Sequence, residues 1–318
     1  MEKSVPTIGF AILTIIALVV FGFAVYEAWM LAPLFGIVLT AALVCLLYTL
    51  FNEAKALKNA KADPLFSQKN LLTVLAVAAG ALATYTISIN LNQGGVIGAA
   101  VVGLVAGFFI KDYAVPIYTG AFVGMASKAL FANQFEIILP GVVAGIVFVL
   151  AAAVFAGFGG KLGTIAVTGC ITCAIALNHP FATPAVPPWS VGWLLMVTAV
   201  VAAVATYYIS NNMKQGVVIG SAAVGLAAGL LLPLVFGATG KTMAVVAICT
   251  SFVGMSAPKR IPSFFWMGIA GALAGLVYIY SSPLVGGAGG KLGTISFASG
   301  MAVRGFLDLL GKYTKSKV

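Results

Sequence analysis

The residues with the clearest chemical capacity occur twice. Gly159-Gly160-Lys161-Leu162-Gly163-Thr164 returns as Gly289-Gly290-Lys291-Leu292-Gly293-Thr294, each copy following one long apolar run and opening another. Paired glycines free the backbone to turn, so a helix is expected to begin at the second glycine of each copy. A helix start leaves N–H groups unpaired and carries the positive end of the dipole. The adjacent lysine adds a full charge, and Thr164 or Thr294 adds a hydroxyl in the first turn. Together these groups are expected to bind an anion. The competing reading makes the glycines a tight turn and Lys161 an orientation signal. It serves Lys291 poorly, because the charge count below puts that lysine on the outer face. Neither motif is a nucleotide-binding P-loop. Gly240-Lys241-Thr242 has the right ending, but Val235 stands where the first glycine is required.

A second polar set is also duplicated. Ser88, Asn90 and Gln93 recur as Ser210, Asn212 and Gln215. Ser88, Asn90, Ser210 and Asn212 are expected to meet the substrate. The alternative is helix capping and loop solvation. Uninterrupted spans would place all four near the membrane faces, whereas a shared site belongs near the midplane. Either the helices that carry them are broken or these residues gate rather than bind.

Other chemistry is sparse. Cys170 and Cys173 share a helix face, with His179 just beyond, and a soft metal such as Cu(I) could use that set. The second copy has Gly300 and Val303 instead of the cysteines, so packing explains the pair better, and no metal or cofactor is expected. Glu27, Asp112, Glu136 and Asp308 fall at the ends of apolar runs, and His179 is the one histidine. Proton coupling, which usually needs an acid or histidine in the bundle core, is disfavoured. Sodium coupling needs only carbonyl and hydroxyl oxygens. No acid, base and nucleophile converge, so the chain is not expected to be an enzyme.

The elements that must position these groups are membrane helices. Of 318 residues 62% are hydrophobic and 8% charged, and the mean hydropathy is +1.12. Soluble domains carry about 25% charged residues. Apolar runs of about 20 residues follow one another, the pattern of a polytopic helical protein rather than an alternating β-barrel. The net charge of +10 sits mainly in short loops. It reads as an orientation signal, not as a nucleic-acid surface.

The expected fold is an all-α integral membrane protein of about 12 transmembrane helices. Residues 1–69 form an N-terminal hairpin and a basic loop, with spans near 7–26 and 31–51. Residues 70–189 form a first repeat, with spans near 71–90, 95–110, 114–130, 137–157 and 163–178. Residues 190–318 form a second, with spans near 190–210, 216–235, 242–257, 263–282 and 293–310, then a basic tail. The duplication is direct: Thr84-Tyr85-x-Ile87-Ser88-x-Asn90-x-x-Gln93-Gly94 matches Thr206-Tyr207-x-Ile209-Ser210-x-Asn212-x-x-Gln215-Gly216. Phe122-Val123-Gly124-Met125 matches Phe252-Val253-Gly254-Met255, and Gly141 and Gly145 match Gly271 and Gly275.

Five spans per copy make consecutive copies enter the membrane from opposite sides. With the N-terminus inside, thirteen basic residues, including Lys55, Lys111, Lys161, Lys214 and Arg260, fall on the cytoplasmic side. Only Lys128, Lys241 and Lys291 fall outside. The bias agrees with a five-plus-five inverted repeat in the cell membrane, with both termini cytoplasmic. Such repeats recur in transporters. The expected function is secondary or facilitative transport of a small anionic or polar solute between the repeats. A channel of the same architecture and a non-transport subunit of a larger complex are the alternatives. The expected partners are the solute or ion and the lipid bilayer, with helices 1 and 2 as the surface for a second copy or a membrane partner.

Overall fold

The structure, a computed structural model, describes residues 5–57 and 64–315, with side chains as far as residue 311. Lys3, Lys58, Lys61 and Lys317, which enter the charge count, lie outside the described residues, as do the side chains of Lys312 and Lys315. All regular elements among the described residues are helical; one isolated antiparallel bridge joins Ala182 to Gly286.

The helices are α1 (Val5–Leu31), α2 (Pro33–Ala56), α3 (Gln68–Tyr85), α4 (Gly95–Phe109), α5 (Ala114–Val123) and α6 (Ile138–Leu150). They continue as α7 (Lys161–Ala176), α8 (Trp189–Tyr207), α9 (Val217–Gly254), α10 (Phe264–Ser281) and α11 (Lys291–Lys315). Six segments are long and apolar enough to cross a membrane: α1, α2, α9, α10, and α3 and α8 with the turns that extend them. This composition is that of a membrane-embedded protein.

The other expected spans are shorter than anticipated. Helices α4, α5, α6 and α7 have 15, 10, 13 and 16 residues. At about 1.5 Å per residue these are roughly 15–24 Å long, below the ~30 Å hydrocarbon thickness. The expected spans near 114–130 and 137–157 stop at Val123 and Leu150 and continue as turns. Those near 216–235 and 242–257 join in α9, which breaks at Gly237 (φ 56°, ψ −127°).

The two copies make the same internal contacts. Tyr85 Oη donates to Phe131 O at 2.5 Å, and the matching Tyr207 donates to Ile261 O at 2.9 Å. Gly124 abuts Ala81 and Thr84 of α3, while Gly254 abuts Ala203 and Thr206 of α8. Small residues let these backbones approach closely, the usual basis of helix association in lipid. One large buried cluster draws its members from both copies and from the hairpin.

The hairpin docks onto both copies. In α1, Gly9 lies against the Leu150–Ala151 backbone and Phe10 stacks on Phe155 with centroids 4.9 Å apart. Along α2, Thr49 Oγ1 donates to Met301 O of α11 at 2.8 Å. Glu53 receives both terminal nitrogens of Arg260 at 2.6 and 3.2 Å, and Arg260 Nε reaches Ala156 O at 2.9 Å. One arginine therefore ties the hairpin to a turn of each copy.

Candidate functional site

The two Gly-Gly-Lys motifs meet. Gly160 (φ 82°) precedes α7 and Gly290 (φ 91°) precedes α11, both in the left-handed conformation that glycine adopts without penalty. Their helices cross one turn later at Gly163 and Gly293. A methyl group added to Gly163 would come within 2.5 Å of Gly293 Cα, and one on Gly293 would meet Gly163 Cα at the same distance. The first turns of α7 and α11 are thus in backbone contact, which only glycine permits.

Contacts around this crossing are reciprocal. Ser127 N–H donates to Gly287 O at 2.9 Å, and Ala257 N–H donates to Gly157 O at 2.9 Å. Gly107 of α4 faces Ile219 of α9, while Gly229 of α9 faces Ile97 of α4. Phe122 and Phe252, equivalent in the two copies, have ring centroids 4.4 Å apart. Tyr118 packs on Phe122 and starts a buried chain of hydroxyls. Its Oη is 3.0 Å from Ser221 Oγ, which is 2.8 Å from Ser251 Oγ.

The two lysines turn back from their helix starts toward carbonyls. Lys161 Nζ donates to Ala151 O (2.7 Å), Val154 O (2.6 Å) and, more weakly, Ala152 O (3.4 Å). It caps the C-terminal end of α6, where a cation complements the dipole. Lys291 Nζ makes one such bond among the described residues, to Ser282 O at 2.9 Å, just beyond α10. The lysines thus hold similar places but differ in how fully their donors are used.

The threonines behave alike in both copies. Thr164 and Thr294 are fully buried, and neither hydroxyl has a hydrogen-bond partner. The same holds for Thr84 and Thr206, equivalent positions in α3 and α8. A buried unpaired hydroxyl is costly, so its recurrence at matched positions marks a place where water or solute would be welcome.

The second polar set sits on a feature that the sequence pattern did not reveal. Thr86–Asn90 and Tyr208–Asn212 are π-helical turns extending α3 and α8. Such bulges are frequent at functional sites. Ser88 and Ser210 are buried, and Ser210 Oγ is unpartnered. Asn90 and Asn212 are exposed, and Asn90 Nδ2 donates to Gln134 Oε1 at 2.8 Å. The structure therefore brings Thr164 and Thr294 to the crossing and leaves both asparagines at the surface. Cys170 Sγ faces Val123 O at 3.9 Å, and His179 Nδ1 lies 2.7 Å from Leu130 O.

A cavity of about 490 Å³ opens beside the second Gly-Gly-Lys turn. Its wall includes Gly95, Val96 and Ser127 from the first copy and Tyr278, Ser282 and Gly286–Leu292 from the second. Two helix starts, those of α4 and α11, border it together with Lys291, and its wall holds no carboxylate. Fixed positive groups without a counter-charge favour an anion or the oxygen atoms of a polar solute. The sequence pattern singled out Lys291 but not Ser127, which lies far from it in the chain, nor Tyr278 and Ser282, which have no repeated polar partner. No protein-family model, curated protein or solved structure matches this chain, so the candidate site rests on its own geometry.

Proposed function

We propose that this chain is a membrane transporter, secondary or facilitative, for a small anionic or polar solute, with its path between two inverted five-helix repeats. The observation that carries the reading is the cavity at Lys291. It lies between the copies, is bordered by two helix starts, and has no acid in its wall. Reciprocal contacts at Gly163 and Gly293 support a pseudo-two-fold axis through that point. An axis in the membrane plane would make inward-open and outward-open states near-equivalent.

In this reading twelve helical segments cross or enter the bilayer, counting α9 as two at its Gly237 break. Helices α5, α6 and α7 are short elements, each with one end (Val123, Ala151 and Gly160) packed inside the protein, which is where irregular backbone is tolerated at membrane depth. Both termini, Lys111 and Lys214 face the cytoplasm of the cell membrane, and the Lys291 cavity opens outward. The unpartnered hydroxyls of Thr164 and Thr294 are the polar contacts along the path, and Ser88 and Ser210 flank it. Close packing of Phe122 on Phe252 favours a transporter over an open channel.

The test is flux in liposomes containing this chain alone, across a panel of small anions and neutral polar solutes. Saturable uptake of one class above protein-free liposomes supports transport. Absence of flux for the whole panel, with a stoichiometric partner co-purifying, would establish a non-transport subunit instead.

A further inference from the structure

Lys161 and Lys291 open equivalent helices within identical hexapeptides, yet their ammonium groups are not equally satisfied. Lys161 is the more exposed of the two and meets three carbonyls, those of Ala151, Val154 and Ala152. Lys291 is only 9% exposed and makes a single hydrogen bond among the described residues, to Ser282 O. An ammonium has three donors, so two go unused at the more deeply buried lysine. Neither ion pair among the described residues includes Lys291, and no acid lines the cavity beside it. A buried cation without a counter-charge is costly, and a ligand that brings a negative charge relieves that cost.

The rest of the wall describes the body of such a ligand. Val96, Met125 and Val245 present apolar side chains. Pro184 and Pro187 belong to the connection between the copies, which the Ala182–Gly286 bridge fastens to the second copy. Proline fixes that stretch, so this side of the wall is rigid as well as apolar. The hydroxyls of Ser127, Thr242 and Tyr278 line the cavity too, and none is engaged elsewhere among the described residues. An inorganic oxyanion would exchange its water shell for this largely apolar lining at a net cost. The second carboxylate of a dianion would have to lie against the same lining. A single carboxylate on a short carbon chain matches both parts: its oxygens accept from Lys291 and the free hydroxyls, and its carbons pack on the valines, the methionine and the prolines.

We propose that the Lys291 cavity binds a short-chain aliphatic monocarboxylate, with the carboxylate on Lys291 and the carbon chain against Val96, Met125, Val245 and the two prolines. That this solute is carried across the membrane rests on the transport reading above; its binding does not.

The experiment titrates the detergent-purified full chain by calorimetry at neutral pH and constant ionic strength, with the heat from detergent alone subtracted. The probes are acetate, propionate and butyrate, then succinate and inorganic phosphate. Affinity should rise roughly three- to four-fold for each methylene added from acetate to butyrate. Succinate, which has as many carbons as butyrate, and phosphate should each bind at least about ten-fold more weakly than butyrate. Lys291→Gln should weaken butyrate about ten-fold or more and keep the gain per methylene, because the charge and the apolar wall are separate parts of the site. The anion series is read on the wild type, so it is decisive even where that variant is unstable. Succinate or phosphate binding as well as butyrate, or no gain with chain length, would overturn the assignment. Unchanged butyrate affinity in folded Lys291→Gln would overturn it too. Butyrate binding with these preferences but no liposome flux would refute transport and leave the site standing. Saturable flux of an inorganic anion with no butyrate binding would refute the site and leave transport standing.

Discussion

Replacing the two motif lysines by methionine should separate their roles. Lys161→Met removes three donors aimed at Ala151, Val154 and Ala152 carbonyls, two of them at 2.6–2.7 Å. Lys291→Met removes one, at 2.9 Å from Ser282 O. Charged hydrogen bonds are worth about 1.5–3 kcal/mol each, and returning a buried ammonium to water offsets part of that. The net loss is then about 2–4 kcal/mol for Lys161 and about 1–2 kcal/mol for Lys291. At roughly 2–4 °C per kcal/mol, the midpoint of thermal unfolding, followed by fluorescence-detected gel filtration, should fall by about 4–16 °C and about 2–8 °C respectively. Anion uptake by the folded fraction should show the opposite order, because Lys291, and not Lys161, lines the cavity beside Ser127 and Ser282. Losing one charged contact there corresponds to roughly ten-fold or more in apparent affinity. Equal stability losses, or uptake impaired as much by Lys161→Met as by Lys291→Met, would refute this division of labour.

Three further outcomes are expected. Gly163→Ala forces a methyl onto Gly293 Cα at 2.5 Å and should cost about 1–3 kcal/mol of stability, measured against Gly22→Ala, where nothing lies within 4 Å. Thr164→Val and Thr294→Val remove hydroxyls that have no partner, so unfolding temperature should hold or rise by the equivalent of about 1 kcal/mol. Uptake should drop nonetheless, and unchanged uptake in the double variant would take both threonines off the path. Single cysteines at Ala156 and Leu284, in matching turns of the two copies, should label with impermeant reagents from opposite sides; labelling from one side would make the repeats parallel.

Much of the architecture was legible in the sequence because lipid imposes it. The hairpin, the duplicated segments and the helix starts at both Gly-Gly-Lys motifs follow from apolar run length and glycine placement. What could not be read was set by contacts between distant residues. The span expected near 114–130 ends at Val123, where Gly124 settles against the Ala81 carbonyl of α3. The one expected near 137–157 ends at Leu150, where Lys161 takes over the terminal carbonyls. The first event depends on a helix more than 40 residues away, and the second on how the turn between Ala151 and Lys161 folds back. The π-helical turns were hidden as well, since their extra residue per turn leaves no hydrophobic period of its own in so short a segment.

The site was legible in part for a related reason. Repetition identified Lys291, Thr164 and Thr294 because the same chemistry is written twice. Ser127 and Ser282 carried no such signal, since the Lys291 cavity is not symmetric in its side chains. The difference between Lys161 and Lys291 was likewise hidden. Two identical hexapeptides reach different carbonyls, and the second opens beside the cavity that Ser127 and Ser282 also line.

The proposed path is tested most directly at Ser127, which lines the Lys291 cavity and donates its backbone N–H to Gly287 O across the two copies. The Ser127→Cys variant, reconstituted in liposomes, is treated with a membrane-impermeant thiosulfonate while uptake of the best solute from the panel is recorded. Modification is expected to block uptake, saturating solute to slow the modification, and the chain without Ser127→Cys to be unaffected once its half-buried Cys45 is replaced by alanine, since Cys170, Cys173 and Cys249 are buried. Complete modification of Cys at this position with uptake unchanged would contradict a solute path between the two copies.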